Sequence, residues 1–258
     1  MKAVGGLLIM AGLAGAGTPA VAGAWNLPKG QGQVIVKYED MRADQAFVAG
    51  GEVDLPTERV DRATSLLVEY GLADRLTLQL KSEWQTGRDE YVAYDGQGPM
   101  ELGARWQVYR DPANVVSVYG GYARSGSGRN AGYAPPGVGD SDWEARLLVG
   151  RSFDGSGWKW GPRRGFVEAQ AARRWRQGLP DEVRLDVTAG AHVGEDWMLM
   201  AQGFGGAVDG GGARWLSLEI SAVKDWGQWS VQGGWRQAIA GRDTPAAGGP
   251  VVAIWRRF

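Results

Sequence analysis

The chain of 258 residues has no cysteine and a single histidine, His192. Without cysteine there is no thiol catalysis, no disulfide staple and no cysteine zinc site. One imidazole excludes a multi-histidine metal site and leaves at most one histidine base. Charge of one sign is not in excess either. Lys plus Arg number 28 and Asp plus Glu 29, for a formal net charge of -1, so the basic footprint of a nucleic-acid binder is missing. No G-x-S-x-G, P-loop or dinucleotide fingerprint occurs. Beyond the N-terminal stretch no apolar run is long enough for a membrane-spanning helix. What is abundant is glycine, at 42, and tryptophan, at 13, a composition suited to a protein of many strands.

The segment Arg59–Trp84 sets the pattern. Leu76, Leu78, Leu80, Ser82 and Trp84 alternate with Thr77, Gln79, Lys81, Glu83 and Gln85. Successive side chains of a strand point to opposite faces, so this is a ribbon with one greasy and one polar side. Leu66, Val68, Tyr70 and Leu72 repeat it against Ser65, Leu67, Glu69 and Gly71, Leu67 being the one exception. The link Ala73-Asp74-Arg75 is as short as an antiparallel hairpin needs. The pattern recurs to the last residue, in segments long enough to cross a bilayer as tilted strands of roughly 9–11 residues.

Residues 1–24 read as a cleaved signal peptide. Lys2 supplies the positive end, Ala3–Gly17 the small-residue apolar core, and Ala20-Val21-Ala22 and Ala22-Gly23-Ala24 two A-x-A cleavage sites. The mature domain then spans 25–258. Loops are expected at 49–61, at 86–98 and at 125–141, the last as a surface loop. Asp111-Pro112-Ala113-Asn114 has the chemistry of a tight turn. About twelve strands result, joined by alternating short and long connections, as in bacterial single-chain barrels with short turns in the periplasm. The expected fold is therefore all-β: one closed antiparallel transmembrane β-barrel with both termini periplasmic.

Tryptophans near strand ends (Trp84, Trp143, Trp175, Trp197, Trp226 and Trp229) read as two interfacial girdles. A soluble sandwich would keep its tryptophans in mid-strand. In hydrocarbon a sheet has no tolerable open edge and must close. The chain ends in Phe258, on one strand face with Ile254 and Val252. This is similar to the C-terminal signal that barrel-assembly machinery reads in Gram-negative outer-membrane proteins, although Arg256 stands where that pattern has an apolar residue.

The stretches AWNLPKGQGQVIVKYEDMRAD, EYGLADRLTL and ELGARWQVYRDPANVVSVYGG resemble small proteobacterial barrels grouped with transporters of aromatic-degradation (phenol meta-pathway) operons. They also resemble the Xag-type outer-membrane component of exopolysaccharide and adhesion clusters. The resemblance spans most of the mature chain. It implies an outer-membrane transport or export role, names no substrate and carries over no catalytic residue.

With the greasy face toward lipid, parity puts Lys37, Glu39, Glu69, Lys81, Glu83, Glu101, Arg105, Glu144, Arg146, Glu168, Arg174, Arg184, Asp186, His192, Glu219 and Arg236 in the lumen. Both signs are represented, which argues against strong anion selectivity. Opposed charge ladders across a narrow water-filled pore would orient neutral or zwitterionic solutes. The same charges, if paired, would plug the lumen. The expected function is a narrow polar passage for uptake or export of a small polar or saccharide solute. The alternatives are a plugged structural barrel in an envelope exopolysaccharide or adhesion complex, and an outer-membrane lipid hydrolase. The hydrolase would need a nucleophile, base and orienter on the lipid face, whereas parity turns His192 inward, so no enzyme, cofactor or metal is expected. Asp140 and Asp142 read as solvated acids of a glycine-rich loop.

One connection departs from the plan. Trp158, Lys159, Trp160, Arg163 and Arg164 crowd a turn that should face the periplasm. They suit either anchoring at lipid headgroups or docking of a periplasmic export partner. The other expected partners are outer-membrane lipid and the assembly machinery.

Overall fold

A computed structural model of the chain describes residues 23–154 and 164–258. The first 22 residues, and with them most of the expected signal peptide, lie outside the described residues, as do Trp158, Lys159, Trp160 and Arg163. The strands in order are β1 (Gly32–Val48), β2 (Gly51–Ala73), β3 (Leu76–Arg88), β4 (Ala93–Gln97), β5 (Met100–Arg110), β6 (Asn114–Arg124), β7 (Ser141–Asp154), β8 (Arg164–Arg176), β9 (Glu182–Val193), β10 (Trp197–Val208), β11 (Arg214–Trp226), β12 (Trp229–Arg242), β13 (Thr244–Pro245) and β14 (Gly248–Arg257). The short β4 adds only to β3, and the short β13 flanks β1 beside β14. The other twelve, among the described residues, each pair antiparallel with two neighbours, and β1 joins both β2 and β14. These twelve strands form a closed barrel, in which each has both neighbours.

Closure is completed by reciprocal backbone bonds. Gly32 donates to the Phe258 carbonyl at 2.8 Å and Phe258 donates to that of Gly32 at 3.0 Å. The Phe258 ring lies over Gly32, where a methyl group would come within 2.4 Å of it.

Leu78, Leu102, Leu147, Leu185, Leu199, Leu218 and Ile220 point outward and are exposed, while their neighbours Thr77, Gln79, Glu101, Glu144 and Glu219 are buried. Around the rim carrying the long loops, Tyr122, Trp143 and Trp175 stand side by side on adjacent strands, the first two rings 5.0 Å apart. Trp197, Trp226 and Trp229 gird the opposite rim, Trp226 directly across from Trp229. An apolar belt between two aromatic rings is a surface for hydrocarbon with headgroups at either edge.

Two expected loops are not loops. Residues 51–61 extend β2, pairing with β1 as far as Val48↔Gly51. The tip of the hairpin projects beyond the barrel rim, and residues 51–58 are exposed or half-exposed throughout, so they have no apolar alternation to reveal them. Gly50, at φ 105°, supplies the left-handed residue its two-residue turn needs. Likewise β3 runs on to Arg88 and is backed by β4 within the segment expected to be irregular.

The stretch 125–141 is irregular as expected, but only part of it lies on the surface. Arg129, Asn130 and Ala134 are buried. Gly128 donates to the Gln97 carbonyl at 2.7 Å, and the Asn130 amide donates to the carbonyls of Gly126 and Val138, each at 3.0 Å. The segment is a self-bonded loop folded down into the mouth of the barrel.

Candidate functional site: the barrel interior

The interior is built in three levels. At the rim of short turns, the segment before β1 crosses the bore. Gly30 donates to the Gly71 carbonyl at 2.8 Å, and Gly71 donates back to Gln31 at 2.9 Å. A methyl group on Gly71 would stand 2.1 Å from the Pro28 carbonyl oxygen, so only glycine lets the segment lie this close to β2. From there each residue is held by a different strand. The Leu27 amide donates to Thr77 Oγ1 of β3 at 3.1 Å. Arg105 of β5 donates from Nε to Asn26 Oδ1 at 3.1 Å and from Nη2 to the Trp25 carbonyl at 2.8 Å. Ser117 of β6 donates to the Ala24 carbonyl at 2.7 Å, and the Ala24 amide donates to Glu168 Oε2 of β8 at 2.7 Å.

The Trp25 side chain fills what the backbone leaves open. Its ring meets Phe166 edge-on at 6.0 Å. It packs against Phe166, Met198, Met200, Val223, Ala253 and Trp255 on one side and Val115, Tyr119 and Leu148 on the other. Residues 23–31 thus form a stopper seated on inward apolar groups.

Above it lies a belt of paired charge. Glu69 accepts from Arg105 Nη1 at 3.0 Å and from the amides of Gln33 and Gln79. Glu101 accepts from Lys81 at 3.0 Å, from the Tyr119 hydroxyl at 2.6 Å and from Arg174 at 2.9 Å. Glu144 takes Arg174 at 2.7 Å and also Arg146. Across the bore Glu39 pairs with Lys37 at 2.7 Å and Arg236 at 2.9 Å, and Arg236 reaches Glu219 at 2.6 Å. Arg184 pairs with Glu182 at 2.8 Å. Glu168 accepts from Ala24 and Gln170. Glu83 on β3 and Asp186 and His192 on β9 are half-buried, and none of the three has an ion pair among the described residues. Arg164, expected in the periplasmic turn, begins β8 opposite His192.

The third level is the folded-in mouth loop. Arg129 Nε donates to Asp61 Oδ1 at 3.2 Å, and its Nη1 to the Ala134 carbonyl at 2.8 Å. From the loop past the belt to the stopper runs a cavity of about 660 Å³, touched by Gly23, Lys37, Glu101, Arg129, Arg184 and Trp255 among others. A smaller one of about 160 Å³ lies between Glu69, Lys81, Arg105, Tyr119 and Gly23. Among the described residues no group of acids and histidine is arranged to hold a metal ion.

Sequence reasoning missed several interior groups. Asp142, Arg176 and Glu182 are buried: Arg176 donates to Asp142 at 3.1 Å and to Glu182 at 3.0 Å. Asp142 is therefore not the solvated loop acid expected. The signal was available. Asp142 shares the parity of Glu144 and Arg146, Arg176 that of Glu168 and Arg174, and Glu182 that of Arg184 and Asp186. Nothing in the alternation marks Arg129 or residues 23–31, because neither belongs to a strand.

No family model matches the chain, and no curated protein does. Among solved structures it is similar to an outer membrane channel from Pseudomonas putida F1, at 15% identity and a TM-score of 0.69, covering 92% of this chain and 99% of that one. It is also similar to the KdgM porin, at 9% identity and a TM-score of 0.55 over 87% and 99% of the two chains. The NanC porin gives 9% identity and a TM-score of 0.53 over 86% and 98%. At these identities the shared feature is the barrel.

Proposed function

We propose that the chain is an outer-membrane barrel, exported behind a cleaved leader and inserted with Phe258 as its assembly signal, that carries a small polar solute along its interior. The observation that supports this reading is the charge belt beside the cavity of about 660 Å³, a size within the usual range for small-ligand sites. Acids and bases alternate there: Lys81 beside Glu101, Glu101 beside Arg174, Glu144 beside Arg146. A wall of mixed sign suits an uncharged or zwitterionic solute, such as a saccharide, better than an anion. Passage requires the stopper to shift, because residues 23–31 lie across the bore.

The test is single-channel conductance in planar bilayers together with liposome swelling in neutral sugars, on the intact protein and on one lacking 23–31. Small or intermittent conductance that rises several-fold on removing the segment supports passage. No conductance and no swelling from either protein sinks it. That result would select the second reading, a structural barrel of an envelope complex, which the pairing of the lumen charges favours.

A further inference from the structure

Glu168 is a buried carboxylate without a cation. It is 3% exposed, and among the described residues its partners are the Ala24 amide and the Gln170 side chain. Arg105, the cation on the stopper, is committed to Glu69, Asn26 and Trp25. An ionised carboxylate is costly to bury unless an opposite charge meets it. Beside it lies Gly23: a methyl group on this residue would come within 3.1 Å of Glu168 Oε1 and 2.7 Å of Gln170 Nε2. Gly23 also borders both interior cavities.

We infer that the mature chain begins at Gly23, by cleavage of the Ala22–Gly23 bond, and that the new α-ammonium is the counter-ion of Glu168. The step is hydrolysis: water adds across one peptide bond, leaving a carboxylate on Ala22 and an amine on Gly23, which is protonated below its ordinary pKa of about 8. Of the two A-x-A sites in the leader, only the earlier fits. Cleavage after Ala24 would remove the amide on Glu168 and the carbonyl on Ser117, from a residue that is fully buried. Cleavage after Ala22 keeps both and puts a positive charge where the cavity wall lacks one. Processing and stoppering then become one event, since the charge that locks the segment exists only once the leader is gone. This inference rests on the proposed export of the chain but not on conductance.

The experiment is intact mass and N-terminal sequencing of protein purified from outer membranes, followed by acylation of the terminal amine at pH 8. The expected first residue is Gly23, and its amine should react about tenfold more slowly than in Glu168→Gln, the loss expected for one charge-assisted bond. Two alanines inserted between Ala22 and Gly23 displace the amine and should restore fast acylation without touching Glu168. A first residue of Trp25, an uncleaved leader, or equal acylation rates in all three proteins would overturn the inference. Because none of these readouts measures transport, its failure is distinguishable from that of the channel reading.

Discussion

Arg105 on β5 reaches Glu69 on β2 across the intervening β3, with Nη1 3.0 Å from Oε1, and uses its other nitrogens to hold Asn26 and the Trp25 carbonyl. One guanidinium therefore ties two wall strands to the stopper. Arg105→Ala should leave Glu69 buried without its cation and release the crossing segment together. The expected cost is about 3–5 kcal/mol for breaking a buried pair, read as a lower urea midpoint in lipid, and it should come with increased conductance. A stability loss near zero would mean that water already screens this pair.

Trp25→Ala isolates the packing part of the stopper. The backbone bonds to Ser117 and Glu168 remain, while the contacts with Phe166 and both apolar clusters go. Removing a large aromatic from a packed site costs roughly 3–5 kcal/mol, and a site at the end of a bore should fall at the low end. Conductance events should become more frequent, and charge selectivity should not change. A change in selectivity would place Trp25 in the charge belt rather than under it.

Leu185→Arg is the lipid-face counterpart. Leu185 is 56% exposed on β9, beside the half-buried Arg184. Arginine at the bilayer midplane costs about 2–4 kcal/mol on a barrel exterior. The variant should lower stability in lipid and leave single-channel current unchanged. Altered current would show that this strand is out of register with the parity described.

The turn between β5 and β6 predicts a pH dependence. Asp111 accepts from the Asn114 side chain, from the backbone amides of Asn114 and Ala113, and from the Tyr109 hydroxyl. These bonds, the Asn114 side chain foremost, hold its carboxyl well below the usual range. A depressed folded-state value means a contribution that is present above the unfolded value near 3.9 and lost as pH falls below it. Amide protection in this turn, measured as exchange relative to the intrinsic rate at each pH, should fall between pH 4 and pH 2 in the wild type and stay flat in Asp111→Ala. Equal slopes would remove the carboxylate from the turn's stability.

Topology can be mapped cleanly because the chain has no native cysteine. Ala49→Cys, at the tip of the projecting hairpin, should react with an impermeant maleimide on intact cells, and Pro112→Cys should not. The loop 125–141 is a poor site for the same test, since its centre is buried in the mouth. The reverse labelling would invert the barrel.

Barrel class and strand parity were legible in the sequence because a strand has only two faces, and here one meets hydrocarbon. Leu76–Trp84 announces its outside and inside without reference to any other part of the chain. Parity weakens wherever both faces meet the same medium, which is why residues 51–58, wet on both sides, read as loop. It also misleads where the interior is itself apolar: Met198, Met200 and Trp255 point inward to seat Trp25. Groups outside strands carry no parity. Arg129 comes to Asp61, and Trp25 to Phe166, only once the barrel has closed, and no local pattern encodes either meeting. Charge type was readable while charge partner was not: nothing in the alternation names Glu69 as the partner of the fully buried Arg105.

The position of the stopper immediately before β1 ties it to how the barrel is assembled. The seam pairs β1 with β14, the first strand and the last, so the ends of the chain must find each other before the wall is complete. The entropy of closing so large a loop grows only logarithmically with its length, but pairing at such separation is slow. If β1 is the last strand to pair, the segment 23–31 enters the bore as the wall closes, and closing and sealing become one step.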